Sequence, residues 1–183
     1  NTALMRASYK GYTDIVALLL EHGSDVNIQN AHGGTALTEA SISGYTDIVS
    51  LLLDHGIDAN AKNNYEDSSL ILTSIRGGTE IVNLLLDHKA YVNIKDAHGY
   101  TALIWAASMG HTEIVSLLLQ KGADVNVIDE DGWSPLMFIC KNSNHDFSKE
   151  IIKMLLKREV NINLQNNLLT FQFIIPTTRN LMH

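Results

Sequence analysis

The chain has 183 residues, of which 45% are apolar and 18% charged, a composition that excludes disordered, collagen-like and low-complexity proteins. The net charge of −7 is uneven, because residues 1–133 hold 7 Lys or Arg against 17 Asp or Glu. Such an acidic body excludes the concentrated basic face that nucleic-acid binding requires. No apolar run approaches the ~18–20 residues of a membrane-spanning helix, so we expect no membrane segment.

A unit of about 33 residues recurs along the chain. A hydroxyl residue followed two positions later by leucine marks each copy, at Thr2, Thr35, Ser68, Thr101 and Ser134. A pair of β-branched residues follows, beginning at Ile15, Ile48, Ile81, Ile114 and Ile151, and an asparagine comes next, at Asn27, Asn60, Asn93, Asn126 and Asn163. The last two markers are displaced in the fifth copy, which indicates four inserted residues around 142–147. Self-similarity at this period predicts a repeat architecture.

Each copy predicts two short helices. The first opens at the Thr or Ser, whose hydroxyl accepts from an unpaired helix N–H, and ends at a glycine that adopts the left-handed conformation at low cost, as at Gly11 and Gly110. The second opens at a threonine followed by Asp or Glu, as at Thr112 and Glu113, where negative charge favours the positive end of the helix dipole. The run IVSLLL at 114–119 gives an apolar stripe that only stacking on neighbouring pairs can bury.

These features resemble the ankyrin repeat, which has a period of 33 and a Thr-Pro-Leu-His-x-Ala signature. The copy at 96–126, DAHGYTALIWAASMGHTEIVSLLLQKGADVN, is especially similar to that family. The resemblance implies an all-α solenoid of stacked antiparallel helix pairs with projecting hairpin loops. We predict an ankyrin repeat domain over residues 1–167, with repeats at 1–34, 35–67, 68–100, 101–133 and 134–167. Residues 168–183 are interpreted as a degenerate cap or tail.

The sequence departs from the family pattern at two kinds of position. The histidine of the family tetrapeptide is replaced in every copy, by Met5, Thr38, Ile71, Ile104 and Met137. This replacement suggests that apolar packing takes the place of a polar bond between repeats. The hairpin glycine of the third copy is replaced by Glu66, which predicts a strained or rebuilt turn there, and the glycine after the second helix is replaced by Lys89 and Glu159.

No catalytic, metal or cofactor site is predicted. His22, His55 and His88 occupy one position in successive copies, near the ends of the second helices, and helices in contact lie ~8–10 Å apart. Zinc requires nitrogen ligands at ~2.0–2.1 Å, so we interpret these histidines as helix-end residues. Cys140 stands at the position of Ala107 and is expected to be a small buried residue rather than a nucleophile.

Two further recurring groups have structural interpretations. The asparagine column is expected to bond the backbone of its own hairpin, although asparagines at this position of ankyrin repeats are sometimes hydroxylated, and Asn126 has the most family-like context. The run Asp129-Glu130-Asp131 is expected to be a solvated hairpin tip. No nucleotide-binding, zinc-protease, hydrolase or calcium-binding sequence pattern is present.

Function is expected to lie where the copies differ, because stacking already explains the shared positions. In ankyrin proteins the partner generally meets the concave side, formed by the hairpin tips and the exposed edge of the first helices. Tyr and Trp are enriched at binding hot spots, and both tryptophans of the chain fall at such variable positions. The candidate partner-binding residues are Tyr65, Asp67, Arg76, His98, Tyr100, Trp105, Met109, Asp131, Trp133 and Phe138. For Trp105 and Phe138, an inward, core-forming orientation is an equal alternative.

We therefore expect a non-catalytic protein–protein interaction module, or scaffold, that binds through its concave face a partner with a basic rim. The alternative is a regulatory or substrate-targeting fragment of a larger multidomain enzyme or effector protein. A monomer, or part of a longer chain, is expected. The single cysteine, the lack of an Asn-x-Ser/Thr sequon and an N-terminus without signal-peptide character favour an intracellular, most simply cytoplasmic, location.

Overall fold

The computed structural model describes residues 1–141 and 146–167, which form ten helices arranged in five pairs. The helices are α1 Ala3–Lys10, α2 Thr13–Glu21, α3 Ala36–Ser43, α4 Thr46–Asp54, α5 Ser69–Arg76, α6 Thr79–Asp87, α7 Ala102–Met109, α8 Thr112–Gln120, α9 Pro135–Lys141 and α10 Asp146–Leu156. The predicted all-α helix-pair solenoid is confirmed. The described residues contain no strand, only isolated antiparallel bridges joining Lys62 to Ser68 and Lys95 to Thr101.

The first helix of each pair has hydrogen-bonded ends, as its sequence predicts. The Thr2 hydroxyl accepts from the Met5 backbone N–H at 3.2 Å, and equivalent bonds cap α3, α5 and α7. Gly11 ends α1 in the left-handed conformation, with a φ of 76°. At the position of the missing family histidine, Thr38 bonds back to the Thr35 backbone N–H at 3.3 Å. Ile71 occupies the same position with its side chain fully buried, so apolar packing does replace a polar group there.

The second helices of the first three pairs, α2, α4 and α6, begin at threonine and are followed by the histidine column. Asp14, in the first turn of α2, lies at the positive end of the helix dipole. At the other end, the His22 ring Nδ1–H donates to the Leu18 carbonyl oxygen at 2.8 Å, a second bond to an oxygen that also accepts the His22 backbone N–H at 3.2 Å. His55 and His88 make the same bond at the ends of α4 and α6. The histidine column is therefore a set of helix-end residues.

Stacking of like helices buries the core. Each odd-numbered helix contacts the next odd-numbered helix, and each even-numbered helix contacts the next even-numbered one. The leucines at the centre of the apolar stripe, Leu52, Leu85 and Leu118, are fully buried in this way. The first pair differs because no described helix covers its outer side. Ile15 on α2 is 48% exposed there, whereas Ile114, at the same position of α8, is 0% exposed.

Two turns keep a left-handed conformation without glycine. Glu66, in the hairpin before α5, has a φ of 64°, and Lys89, after α6, has a φ of 66°. Left-handed backbone costs a residue with a Cβ about 1–2 kcal/mol relative to the right-handed form. The strain predicted at Glu66 is therefore present, and Lys89 carries the same kind of strain. Glu159 is not in the left-handed region, so the turn after α10 closes in another way.

The asparagine column joins consecutive repeats, so the expectation that each side chain bonds its own hairpin is wrong. The Asn27 side-chain oxygen accepts from the Asp58 backbone N–H at 2.9 Å, one repeat further on. The Asn126 oxygen accepts from the Asn161 N–H at 2.7 Å, and its amide donates to the Glu159 carbonyl at 2.9 Å. The reason is that each hairpin folds against the next, which brings that backbone closer. We call this series the asparagine ladder, formed by Asn27, Asn60, Asn93 and Asn126.

The inserted residues fall between the two helices of the last pair. Residues 142–145 of the insertion lie outside the described residues, and so does the segment 168–183 that was interpreted as a cap or tail. Within the described ranges, none of the helices combines the length and the apolar character needed to cross a membrane.

Candidate partner-binding surface

The predicted surface residues come from two parts of the repeat. Six lie on hairpins: Tyr65, Asp67, His98, Tyr100, Asp131 and Trp133. Four lie on first helices: Arg76 on α5, Trp105 and Met109 on α7, and Phe138 on α9. Because α5, α7 and α9 each start directly after a hairpin, both groups line the same side of the array. Trp105 and Met109 are four residues apart, so they share one face of α7.

Four of these residues form one continuous aromatic group. The Tyr100 ring meets the Trp105 and Phe138 rings edge to face, with centroid distances of 5.2 and 5.3 Å. Trp133 lies 5.4 Å from Phe138. All four side chains are half-buried, so Trp105 and Phe138 neither enter the core fully nor stand free. We call Tyr100, Trp105, Trp133 and Phe138 the aromatic cluster.

The other predicted residues lie outside this group of four rings. His98 lies 5.9 Å from Tyr100, at the edge of the cluster. Tyr65, Arg76 and Met109 are exposed, and the Tyr65 ring has no aromatic neighbour among the described residues. The structure thus brings together the candidates from the fourth and fifth repeats and leaves those from the third more isolated.

Two buried carboxylates support the cluster, and neither is among the site residues predicted from the sequence. Asp96 is 8% exposed, and its carboxylate accepts the Trp105 indole N–H at 2.9 Å and the Tyr100 backbone N–H at 2.9 Å. Asp129 is 6% exposed and accepts the Trp133 backbone N–H at 2.7 Å. The expectation of a solvated 129–131 run is therefore wrong for Asp129. Its carboxylate folds back onto its own hairpin, whereas Glu130 and Asp131 remain exposed.

A sequence signal for these carboxylates does exist. Asp96 and Asp129 occupy the position held by Asn30 and Asn63 in earlier copies, where the side-chain oxygen also accepts N–H groups two and four residues later. Aspartate and asparagine are the residues that close such turns through their own side chains. An Asp or Asn at this position of the hairpin therefore predicts a turn-closing side chain, which is half-buried as Asn30 or Asn63 and buried as Asp96 or Asp129.

The carboxylates change the titration of their neighbours. Burial raises the pKa of Tyr100, and the negative charges of Asp129, Asp131 and Asp96 raise it further by opposing a phenolate. Burial also raises the pKa of Asp67, where the nearby Asp96 adds to the effect and a hydrogen bond with Asn63 opposes it. We call Asp67, Asp96, Asp129 and Asp131 the carboxylate row.

Positive charge near the cluster comes from α9. The Lys141 ammonium lies 4.9 Å from the centroid of the Trp133 ring, within the range of a cation–π contact. The ion pairs found in the described part of the chain are elsewhere: Lys62 with Glu66, His88 with Asp54, and Lys121 with Asp87. None of these pairs involves the carboxylate row.

Cys140 is exposed, so its expected burial is wrong. The equivalent Ala107 on α7 is covered by α9, the next first helix, whereas no described first helix follows α9. Among residues 1–141 and 146–167, no group of three or more His, Cys, Asp or Glu is arranged to hold a metal ion.

Stacked helix pairs with a continuous surface of hairpins and first helices define a helical repeat protein. A family model for ankyrin repeats matches residues 1–63 and 70–166, in three copies, and the chain belongs to the ankyrin-repeat family. Members of this family generally act as protein–protein interaction modules and are typically non-catalytic. A search of curated proteins finds no match to the chain.

Proposed function

We propose that the protein is a non-catalytic interaction module that binds a partner protein through the concave side, formed by the hairpins and first helices. The observation that supports this most is the aromatic cluster. Aromatic anchors are over-represented among binding hot spots because they bury a large area with few rotatable bonds. Four such rings touch one another on one side of two adjacent repeats, supported from beneath by Asp96 and Asp129.

The charge of this side favours a partner with a basic rim. The carboxylate row borders the aromatic cluster, and the whole chain carries a net charge of −7. Complementary charge steers association, and salt screens it. The association rate with the partner should therefore fall as ionic strength rises. We further propose that the protein works inside the cell, a setting that its single cysteine favours.

The test has two stages. Affinity capture from a lysate first identifies a partner, and an alanine scan then measures its affinity for variants of the cluster. Tyr100→Ala and Trp133→Ala should each weaken binding by at least ~2 kcal/mol if they are hot spots. Circular dichroism of each variant checks that the helices remain.

Control residues lie on the second helices, away from the hairpins. Glu21 on α2 is exposed, and Glu21→Ala should leave partner affinity nearly unchanged. Asp54 and Asp87 form a second control set, but they take part in ion pairs with His88 and Lys121, so their variants need a stability measurement first. Loss of binding from this outer set, with Tyr100 and Trp133 tolerant of alanine, would defeat the proposal.

A further inference from the structure

The aromatic cluster already accepts a cation. Lys141 places its ammonium 4.9 Å from the Trp133 ring centroid, and ammonium groups within ≈ 6 Å of an indole face are attracted by the ring quadrupole. Lys141 itself is exposed, and Trp133 is half-buried. This contact is therefore held loosely at the surface, and a cation from another molecule can replace the lysine there.

The negative charge around the cluster is only partly balanced, because Lys141 lies against the Trp133 ring and the charge of Lys62 acts on Asp67, while neither lysine pairs directly with a carboxylate of the row. The hydrogen bonds to Asp96 and Asp129 come from neutral N–H groups and, at Asp129, also from the neutral Tyr100 side chain, so they satisfy the oxygens without neutralising their charge. Asp131 is exposed at the hairpin tip, and its charge acts on Tyr100, as do the charges of the two buried carboxylates. In the described part of the chain, no Lys or Arg forms an ion pair with the carboxylate row. Buried carboxylates whose charge is only partly balanced make a neighbouring aromatic surface attractive to cations.

We propose that the aromatic cluster is the binding site for an arginine side chain of the partner, which displaces Lys141 from Trp133 and turns its guanidinium toward Asp131. The inference rests on the proposed function and deepens it by naming the group that the surface recognises. Arginine fits better than lysine for two reasons. Its planar guanidinium stacks on aromatic faces while donating to a carboxylate, and it is more weakly hydrated than an ammonium group.

The experiment uses the purified chain and short synthetic peptides, so it does not depend on identifying the partner. The probe is a blocked peptide with two arginines separated by glycine. The two comparison peptides carry lysine or citrulline, the uncharged analogue of arginine, at the same positions. The chain contains two tryptophans, Trp105 and Trp133, so its indole N–H signals in a nitrogen–proton spectrum report directly on the cluster. The arginine peptide should shift both signals saturably, the lysine peptide should bind more weakly, and the citrulline peptide should have no effect.

Three variants separate the site from general attraction to an acidic protein. Lys141→Ala removes the competing cation and should tighten arginine-peptide binding about two- to fivefold, the factor that corresponds to an exposed cation–π contact. Trp133→Leu, followed through the Trp105 signal, should weaken binding by a similar factor. Asp131→Asn should also weaken it. Glu21→Gln makes the same charge change on α2 and should leave the affinity unchanged.

Several results would overturn the assignment. Two of them concern the peptides: the citrulline or the lysine peptide binds as tightly as the arginine peptide. Two concern the variants: Lys141→Ala has an unchanged affinity for the arginine peptide, or Glu21→Gln and Asp131→Asn lose the same amount of that affinity. The proposed function has a separate outcome. If partner binding depends on Tyr100 and Trp133 while the arginine peptide gives no shift, the arginine site fails and the interaction module stands. If the peptide binds but the partner tolerates alanine at both residues, the proposed function fails instead.

Discussion

Replacing Ile114 with alanine should destabilise the array much more than the same replacement at Ile15. The two isoleucines occupy the same position of a second helix, two residues after the opening threonine, in the similar sequences TEIVSLLL and TDIVALLL. The difference in helix propensity between isoleucine and alanine therefore cancels in the comparison. What differs is burial, because Ile114 is 0% exposed and Ile15 is 48% exposed.

The size of the effect follows from this burial. Isoleucine to alanine removes three carbon atoms, each worth ≈ 0.8 kcal/mol when fully buried, or about 2.4 kcal/mol in transfer free energy. At Ile114 a cavity between stacked helices adds to this loss and brings the expected cost to about 3–4 kcal/mol. At Ile15 about half of the transfer term applies, and the open side of α2 leaves no closed cavity, so the expected cost is about 1.2 kcal/mol.

Equilibrium unfolding in urea, followed by helical circular dichroism, measures the difference. With a slope of about 2 kcal/mol/M, the midpoints of the two variants should lie roughly 1 M apart. Because repeat arrays can unfold in parts, the slopes of both variants must first be shown to match that of the parent. Equal losses of stability at the two positions would mean that stacking does not determine the burial energy of this column, contrary to the expectation.

Three other predictions follow from individual contacts. The Ser74 hydroxyl is buried without a hydrogen-bond partner in the described structure, and Ala107 fills the same position two helices on, so Ser74→Ala should raise the free energy of unfolding by about 1 kcal/mol in urea titrations. Asn126→Ala removes two bonds between repeats and should cost about 1–2 kcal/mol, whereas Asn163→Ala, in the same column, should be close to neutral by thermal denaturation. Because the folded state raises the pKa of Tyr100, it binds the phenol proton more tightly than the unfolded state, so stability should fall as the pH rises above about 10. Tyr100→Phe should remove the part of this loss of stability that comes from Tyr100. In an ultraviolet titration it should also remove the tyrosine ionisation that occurs at the highest pH.

Much of the fold could be predicted because the repeated residues act locally. Thr2 caps its own helix and Gly11 ends it, and neither contact depends on a distant part of the chain. The same pattern in every copy then fixes which face is apolar and must be covered by stacking. The left-handed turns at Glu66 and Lys89 were also predictable, since the neighbouring copies require glycine at those positions.

The candidate surface was less predictable because its contacts cross between repeats. The edge-to-face contact of Tyr100 with Phe138 joins residues 38 positions apart, and no local pattern encodes it. Asp129 was misinterpreted as solvated because a run of three acidic residues resembles an exposed loop, although the first of them closes the hairpin. Cys140 was misinterpreted by analogy with Ala107, and the analogy failed because burial depends on the next helix rather than on the residue itself.

The asparagine ladder has a consequence for how the chain tolerates changes in length. The bonds from Asn27, Asn60 and Asn93 each reach a backbone N–H 31 positions further along the chain. The last bond, from Asn126 to Asn161, spans 35 positions. The last step spans four more residues than the others and keeps the same bond, so the four extra residues of the fifth repeat, which enter the sequence around 142–147, leave the ladder intact. The connection between the two helices of a pair is thus a permissive place for inserting a loop or a label. An insertion of the same size on the hairpin side would separate each asparagine from the backbone that it bridges.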